Sequence, residues 1–370
     1  MSFVPVQVSG PEPDLRAIIT RMISLPRALD QIGALYAGLE PCFAPLVDAV
    51  MATLPDHDVL VHSYLFPFLK NAARAAKKPC AALVFCANSI PFPQTWPDDV
   101  PPPSRGLPGA LARMRNRAAW RGGQMLLDRL VNRHAGTALK KHSLGSFDGF
   151  LHDPADVALV AVSRGLFPPP APPPEPYVYT GFLRWQPVPT SKALQYIEQV
   201  HKLEDSGAPV PILTLGSMNP VGAQNIIQRL SDVWPQGMPL VVQAGWAGFE
   251  EIPTRSDVHV IGAAPHDALF AYAAVVVHHG GAGTTGSALY ACRPQVVIPH
   301  LGDQSYWARE LEKLGVARVL GLDRWPEELF GVFEHLLHDV PRIIRVAECA
   351  AIIRGEDGAG KTVEALEKLT

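Results

Sequence analysis

The 370-residue sequence has little charge imbalance, few cysteines and no long apolar run. A formal net charge of -3 argues against a protein that holds nucleic acid by bulk electrostatics. Five cysteines without paired or CxxC spacing exclude a disulfide framework and a zinc site, and predict a cytoplasmic protein with reduced thiols. No run of about 18 apolar residues occurs, so no membrane-spanning helix is expected. The N-terminus also lacks the basic flank and apolar core of a signal peptide.

Short apolar, β-branched runs alternate with helical patterns, which is typical of parallel α/β sheets. Three runs precede the Pro-rich stretch 168–189, at 59–61, 82–85 and 157–162, with helices predicted near 41–54, 66–76 and 107–141. Five runs follow it, at 211–215, 240–242, 258–261, 275–277 and 296–298. The two sets predict two doubly wound domains, at 1–187 and 188–345, and a C-terminal helical segment at 346–370 that packs back on the first domain.

The first domain lacks the strand, turn and helix with which a doubly wound domain usually opens. Residues 3–6 resemble the end of a strand, and the next apolar run lies far downstream. We therefore expect the first domain to be incomplete at its start.

The sharpest motif is a glycine-rich turn that runs from His279 to Thr285 after the apolar run 275–277. Glycines let the backbone turn sharply and approach a ligand closely. The predicted helix that follows offers unpaired N–H groups and a partial positive charge to a diphosphate. His279 can donate a ring N–H, and Thr284 and Thr285 can donate hydroxyls. A tight strand–helix turn without a ligand is the alternative.

Polar or glycine-rich loops also follow three other predicted strands, at the edge where open α/β sheets bind ligands. They contain Gly216-Ser217, the segment 264–270, and Asp303-Gln304. Asp303 and Gln304 offer two acceptors and an amide, which suit the hydroxyls of a sugar. Each could instead be a capping or turn residue.

The run from His279 to Thr285, the segment 293–299, and Asp303-Gln304 with Trp307 resemble the family 1 glycosyltransferases. The closest branch is that of sterol 3-β-glucosyltransferase-like enzymes and bacterial lipid- or macrolide-glycosylating enzymes. The resemblance implies an α/β fold of GT-B architecture, with two facing Rossmann-like domains of which the first is incomplete here. It also implies that a hexose, usually glucose, passes from a UDP-sugar to a hydroxyl of an apolar acceptor with inversion. The UDP-sugar is then a substrate, and neither a metal nor a cofactor is expected.

The resemblance assigns the donor site position by position. The residues it places on the diphosphate are Ser217, His279, Gly281, Gly283, Thr284 and Thr285. Asp303 and Gln304 would bind the sugar hydroxyls, and Ala264 and His266 would lie at the uracil edge. The sequence has Ala263 where plant members have a Trp, and Ser287 where they have a ribose-binding Glu. These departures leave the nucleotide base open.

The catalytic base is not evident, because nothing in residues 1–40 matches the family's opening turn that carries it. The chain therefore resembles a member that lacks its first βαβ unit. His62, just after the run 59–61, is the candidate base, and a structural or cleft-lining histidine is the alternative. Two other functions remain open: a non-catalytic nucleotide-sugar-binding protein, and a nucleotide-sugar epimerase of the same architecture.

Between residues 105 and 141, nine Lys and Arg accompany a single acid, Asp128. The apolar spacing there predicts amphipathic helices with Leu111, Met114, Ala118, Met125, Leu126 and Leu130 inward and the arginines outward. Such a face predicts peripheral contact with anionic lipid, with a solvated face as the alternative. An incomplete sheet also suggests a homodimer. Phe66, Phe68, Phe92 and Trp96 are expected to line an apolar acceptor cleft.

Overall fold

The computed structural model describes residues 12–98, 100–101, 103, 106–216, 223–244 and 255–370. The chain divides into two compact units, Met1–Gly181 with Asp357–Thr370, and Phe182–Glu356. The division falls after Gly181, whereas the predicted boundary is at 187. The chain returns to the first unit at Asp357 rather than at 346. The strand expected at residues 3–6 lies outside the described residues.

The first unit is built on a four-stranded parallel sheet in the order β1-β2-β3-β4. Its elements are α1 (Leu15–Ile23), α2 (Ala28–Thr53), β1 (Leu60–Ser63), α3 (Leu69–Ala75), β2 (Cys80–Val84), α4 (Gly109–Lys141), β3 (Val157–Val160) and β4 (Tyr177–Tyr179). The strand order follows the chain without a reversal, so this sheet corresponds to one half of a doubly wound sheet.

An aromatic core lies between α2, α3 and α4. Tyr36 and Phe43 of α2 contact each other edge to face, with ring centroids 5.4 Å apart, and Phe68 packs 5.1 Å from Phe43. Phe68 and Phe92 are buried. The expectation that these two residues line an open acceptor cleft is therefore wrong. Phe68, after β1, packs on Phe43 of α2, and Phe92, after β2, lies next to α4, where its carbonyl accepts the indole N–H of Trp120.

The stretch Ala28–Asp56, which contains α2, is long and apolar enough by composition to cross a membrane, with a mean hydropathy of 1.3. The expectation of no membrane-spanning helix rested on the absence of an unbroken apolar run, and length and mean hydropathy alone leave it a prediction. Only 17% of that window is buried. Asp48 nevertheless pairs with Lys141 and His142 at 2.5 and 2.6 Å, which fastens α2 to the end of α4.

Helix α4 is continuous over 33 residues, and it buries a different face from the one predicted. Its buried residues are Asn116, Trp120, Leu127, Val131, Ala135, Ala138 and Leu139. Leu111, Met114, Met125 and Leu126 are 47–63% exposed instead. Trp120 selects the buried face, since its indole N–H donates to the carbonyls of Phe92 and Thr95 at 3.1 Å. Most of the predicted inward set therefore lies outside, on the surface that carries arginines, whereas Leu130 is half-buried.

The second unit is built on a six-stranded parallel sheet in the order β10-β9-β8-β5-β6-β7. Its elements are α5 (Ser191–Asp205), β5 (Pro211–Thr214), α6 (Ala223–Val233), β6 (Leu240–Gln243), β7 (Val258–Ile261), α7 (His266–Leu269), β8 (Val275–His278), α8 (Ala282–Tyr290), β9 (Gln295–Val297), α9 (Gln304–Leu314), β10 (Ala317–Val319), α10 (Trp325–His338) and α11 (Val340–Arg354). The strand order reverses between β5 and β8, which makes this sheet doubly wound with its switch point there.

The last helix, α12 (Gly358–Glu367), belongs to the first unit. Ala365, Leu366 and Leu369 pack against a cluster formed by Ala81, Val157 and Leu159 of the four-stranded sheet. Asp357 caps this helix by accepting the N–H of Gly360 at 2.8 Å.

Candidate functional site

The switch point of the second sheet places the loop after β5 beside the loop after β8. Thr214 and His278 are paired in register at the ends of these strands. Each strand then turns through a glycine in the left-handed region, Gly216 with φ 61° and Gly280 with φ 92°. Glycine adopts this conformation without steric cost. The two loops therefore leave the sheet side by side, at the position where doubly wound sheets bind ligands.

His279 is held between two glycines at this point. A Cβ added to Gly216 would lie 2.8 Å from Cε1 of His279, and one added to Gly281 would lie 2.5 Å from its Nε2. Both distances are too short for a real side chain, so the ring position depends on both glycines. The ring is buried, and its Nδ1 has no hydrogen-bond partner among the described residues. A polar ring nitrogen buried without a partner is typical of a ligand contact.

The histidines around this site are neutral. Burial lowers the pKa of His279 to about 3, and His278, His300 and His266 act in the same direction. Burial also lowers the pKa of His278 to about 4. The N–H of Gly280 donates to Nδ1 of His278 at 3.1 Å, which leaves Nε2 to donate to Gln295 at 2.8 Å. Both nitrogens of His278 are therefore used within the protein, and His279 offers an anion a hydrogen bond and no positive charge.

The N-terminus of α8 has no side-chain cap. Gly281 is its N-cap residue, and no side chain hydrogen-bonds to the first turn. Uncapped N–H groups and the helix dipole together favour an anion such as a phosphate. The hydroxyl of Thr285 is buried and has no partner in the part of the chain that the structure describes. Thr284 lies at the same turn and is 7% exposed.

Asp303 and Gln304, predicted on the sugar, begin helix α9. Burial raises the pKa of Asp303 to about 6, and its side chain does not cap the helix. The side-chain oxygen of Gln304 accepts the N–H groups of His300 and Leu301 at 2.8 and 3.1 Å. That oxygen therefore stabilises the loop, and only the amide NH₂ of Gln304 is left for a ligand.

A pocket of about 430 Å³ opens beside the first turn of α8. Four of the predicted site residues line it: Ala264, His266, Gly283 and Thr284. His266 is oriented by Gln243, whose side-chain oxygen lies 3.1 Å from its Nε2. The predicted residues His279, Gly281, Thr285, Asp303 and Gln304 lie in the adjoining loops and helix starts and do not line this pocket. Ser217 is outside the described residues.

One wall of the pocket was not predicted from the sequence. Arg184 pairs with Asp267 at 2.6 Å and stacks on Tyr290, with its guanidinium carbon 3.4 Å from the ring centroid. Tyr290 could have been found, because Gly283, Ser287 and Tyr290 are spaced for one face of a helix. Arg184 follows no motif in the sequence, so no signal indicated it.

His62, the candidate base, lies in the first unit on β1 and is buried. Its Nδ1 is 3.0 Å from the carbonyl of Ser63, and its Nε2 has no partner among the residues described. Burial lowers the pKa of His62, the carbonyl of Ser63 works against this, and the charge of Lys70 adds to it. The ring is therefore neutral and able to accept a proton, and its catalytic role stays a prediction.

Comparison with known proteins finds similarity over part of the chain. Residues 243–341 match the family described as "Erythromycin biosynthesis protein CIII-like, C-terminal domain". A sterol 3-β-glucosyltransferase of Aspergillus fumigatus is 30% identical over 183 residues, which is 46% of this chain and 13% of that protein. The chain thus spans a small part of that relative.

Solved glycosyltransferase structures share the fold. The kitacinnamycin glycotransferase superposes with a TM-score of 0.63 at 20% identity, covering 94% of this chain and 86% of that one. The glycosyltransferase VinC in complex with DTDP superposes with a TM-score of 0.62 at 16% identity, covering 98% and 84%. The predicted α/β GT-B fold class is confirmed. Over part of its length the chain is also similar to the EryCIII-like C-terminal domain and to sterol 3-β-glucosyltransferases.

Proposed function

We propose that this protein transfers a hexose from a UDP-sugar to a hydroxyl of an apolar acceptor, with inversion and without a metal. The observation that carries the proposal is His279, clamped between Gly216 and Gly281 at the switch point, beside the uncapped start of α8. Together they would bind a diphosphate, and Asp303, immediately before α9, would accept sugar hydroxyls.

The diphosphate site would stabilise the leaving group. In the transfer, the acceptor oxygen bonds to the anomeric carbon as the bond from that carbon to the diphosphate oxygen breaks. Negative charge develops on the departing diphosphate, where helix N–H groups and a ring N–H stabilise it most strongly. The proposed transfer needs no metal ion, because these fixed hydrogen-bond donors would stabilise the charge of the departing diphosphate.

The base and the ribose would occupy the pocket beside α8. The pair Arg184–Asp267 and the ring of Tyr290 present polar edges and a flat face at one wall. We propose uracil as the base of the nucleotide donor. VinC is described in complex with DTDP, so thymidine diphosphate is the competing ligand to test.

The acceptor proton would pass to a base in the first unit, and His62 is our candidate. We propose a sterol as the acceptor, because the relative from Aspergillus fumigatus carries that name. We also propose a cytoplasmic protein that meets membranes peripherally through the basic helix α4, since a sterol acceptor is dissolved in lipid.

Incubation of the protein with labelled UDP-glucose and a sterol tests the proposal. We expect a steryl glucoside of inverted anomeric configuration, formed without added metal. Asp303→Ala should lower transfer at least about a hundredfold, as loss of a transition-state contact does. His62→Ala should abolish turnover while it leaves UDP affinity unchanged.

Two results of this assay would contradict the proposal. UDP binding without transfer to any sterol or lipid would favour the non-catalytic sugar-nucleotide-binding alternative. Conversion of UDP-glucose to another UDP-hexose would favour the epimerase.

A further inference from the structure

A second cavity lies in the first unit, far in sequence from the donor site. It is a groove of about 530 Å³ between α1, α2 and α4, within the range of about 300–1,000 Å³ that small-molecule sites occupy. Its floor is apolar and is formed by Leu25, Leu29, Ala34, Leu126 and Leu130. An apolar floor of this size favours a hydrocarbon chain over water.

Three arginines stand at the rim of this groove: Arg21, Arg129 and Arg133. All three are exposed, and within the part of the chain that the structure describes no acid pairs with them. The other two ionisable groups of the groove already have partners. Asp30 pairs with Arg27 at 2.7 Å, and His134 with Glu40 at 2.7 Å. The rim therefore keeps a positive charge for an anion from outside.

The surface next to the groove is apolar as well as basic. On α4, Leu126, Arg129 and Arg133 follow one another at helical spacing on one face. Met125 and Leu126 are 55% and 47% exposed there. Helix α2, which forms the opposite wall, is apolar enough to enter a membrane and is only 17% buried over its most apolar window.

We propose that this groove binds one anionic membrane lipid, whose phosphate lies on Arg129, Arg133 and Arg21 and whose acyl chain covers the floor. The proposal sharpens the peripheral membrane contact of the proposed function and rests on that contact, but not on sugar transfer. A free phosphate would leave the floor empty. A second copy of the chain, related by two-fold symmetry, would bring like-charged rims together, which costs energy.

Sedimentation of the full chain with phosphatidylcholine vesicles, with and without phosphatidylglycerol, tests the proposal. We expect binding only to the anionic vesicles. The double variant R129E/R133E should weaken this binding about tenfold or more, since each basic residue at a membrane surface contributes roughly a fivefold factor. The matched control is R113E/R117E, on the same helix and of the same charge but outside the groove.

Two further measurements distinguish lipid binding in the groove from diffuse electrostatic attraction to the basic surface. Leu126→Gln keeps every charge and should weaken vesicle binding severalfold. Soluble glycerol 3-phosphate should not compete, because it lacks the acyl chain. UDP affinity and melting temperature should be unchanged in every variant, so failure of this proposal is distinguishable from failure of the donor site.

Three outcomes would overturn the proposal. An equal loss of vesicle binding in R129E/R133E and in R113E/R117E would mean that anionic lipid binds diffusely to the basic face of α4. Displacement by glycerol 3-phosphate would mean a soluble phosphate ligand. A dimer that Leu126→Gln dissociates, with no vesicle binding, would mean that a second copy covers the groove.

Discussion

Asp303 is the residue of the proposed site whose charge changes with pH just below neutrality. Burial raises its pKa to about 6, so the free carboxyl changes charge just below neutral pH. Burial lowers the pKa of the nearby histidines instead. His279, with a pKa of about 3, does not titrate in that range. A pH effect on donor binding near pH 6 would therefore report on Asp303.

We predict that UDP-glucose affinity falls as the pH drops through about 6, because protonation removes the negative charge of Asp303 and leaves it a weaker acceptor. UDP-glucose has no phosphate group that titrates there, so the protein is the source of the change. Asp303→Asn should bind UDP-glucose more weakly at pH 7 and with a flat pH profile. A wild-type profile that is flat between pH 5 and 7.5 in calorimetry would contradict the assignment.

The same raised pKa has a consequence for stability. The folded state keeps its proton up to about pH 6, whereas the unfolded carboxyl loses it near its ordinary value of about 3.9. The stabilising contribution is therefore present at low pH and is lost as the pH rises through about 6. Asp303 thus costs on the order of 1–3 kcal/mol at pH 7, as expected for a residue retained for binding.

At the scale of elements, the turn from β8 into α8 shapes the proposed donor site. Gly280 provides the left-handed bend, Gly281 gives room for the ring of His279, and α8 begins without a side-chain cap. The turn needs its glycines for two reasons: Gly280 adopts a left-handed backbone conformation, and Gly281 leaves room for the ring of His279. Either could be lost separately by substitution.

We predict that Gly281→Ala lowers UDP affinity at least about tenfold, because the new methyl would lie 2.5 Å from Nε2 of His279 and displace the ring. The loss corresponds to one charge-assisted hydrogen bond of about 1.5–3 kcal/mol. Gly331→Ala on α10 is the control. Its methyl would meet nothing within 4 Å and should stabilise the helix by about 0.5–1 kcal/mol. Wild-type UDP affinity in Gly281→Ala would show that the ring position is not needed.

The elements differ in how well the sequence predicts them. Strands β5, β6 and β8 are fully buried, so their apolar runs are continuous and easily recognised. The apolar periodicity predicts the wrong buried face for helix α4, because it identifies apolar residues without showing which side of the helix the core covers. The hydrogen bonds of Trp120 decided that side. Arg184 reaches the pocket through a tertiary contact with Tyr290 that no local pattern encodes.

At the scale of the whole molecule, charge is divided between the halves. Residues 1–185 have 18 basic and 14 acidic residues, a net of +4, and the remainder has 14 and 21, a net of −7. The half that contains the proposed diphosphate site is thus acidic, and the histidines of that site are neutral. Attraction of the donor must come from the local N–H groups of α8 rather than from net charge. The basic half, by contrast, suits an anionic membrane.

Calorimetric titration of the full chain with UDP, without added metal, is the sharpest test of the proposed diphosphate site. We predict saturable binding at one site in the wild type. In His279→Ala, the affinity should fall at least about tenfold with no change in melting temperature. A folded wild-type protein that does not bind UDP, or equal affinity in His279→Ala, would contradict the donor site and with it the proposed transfer.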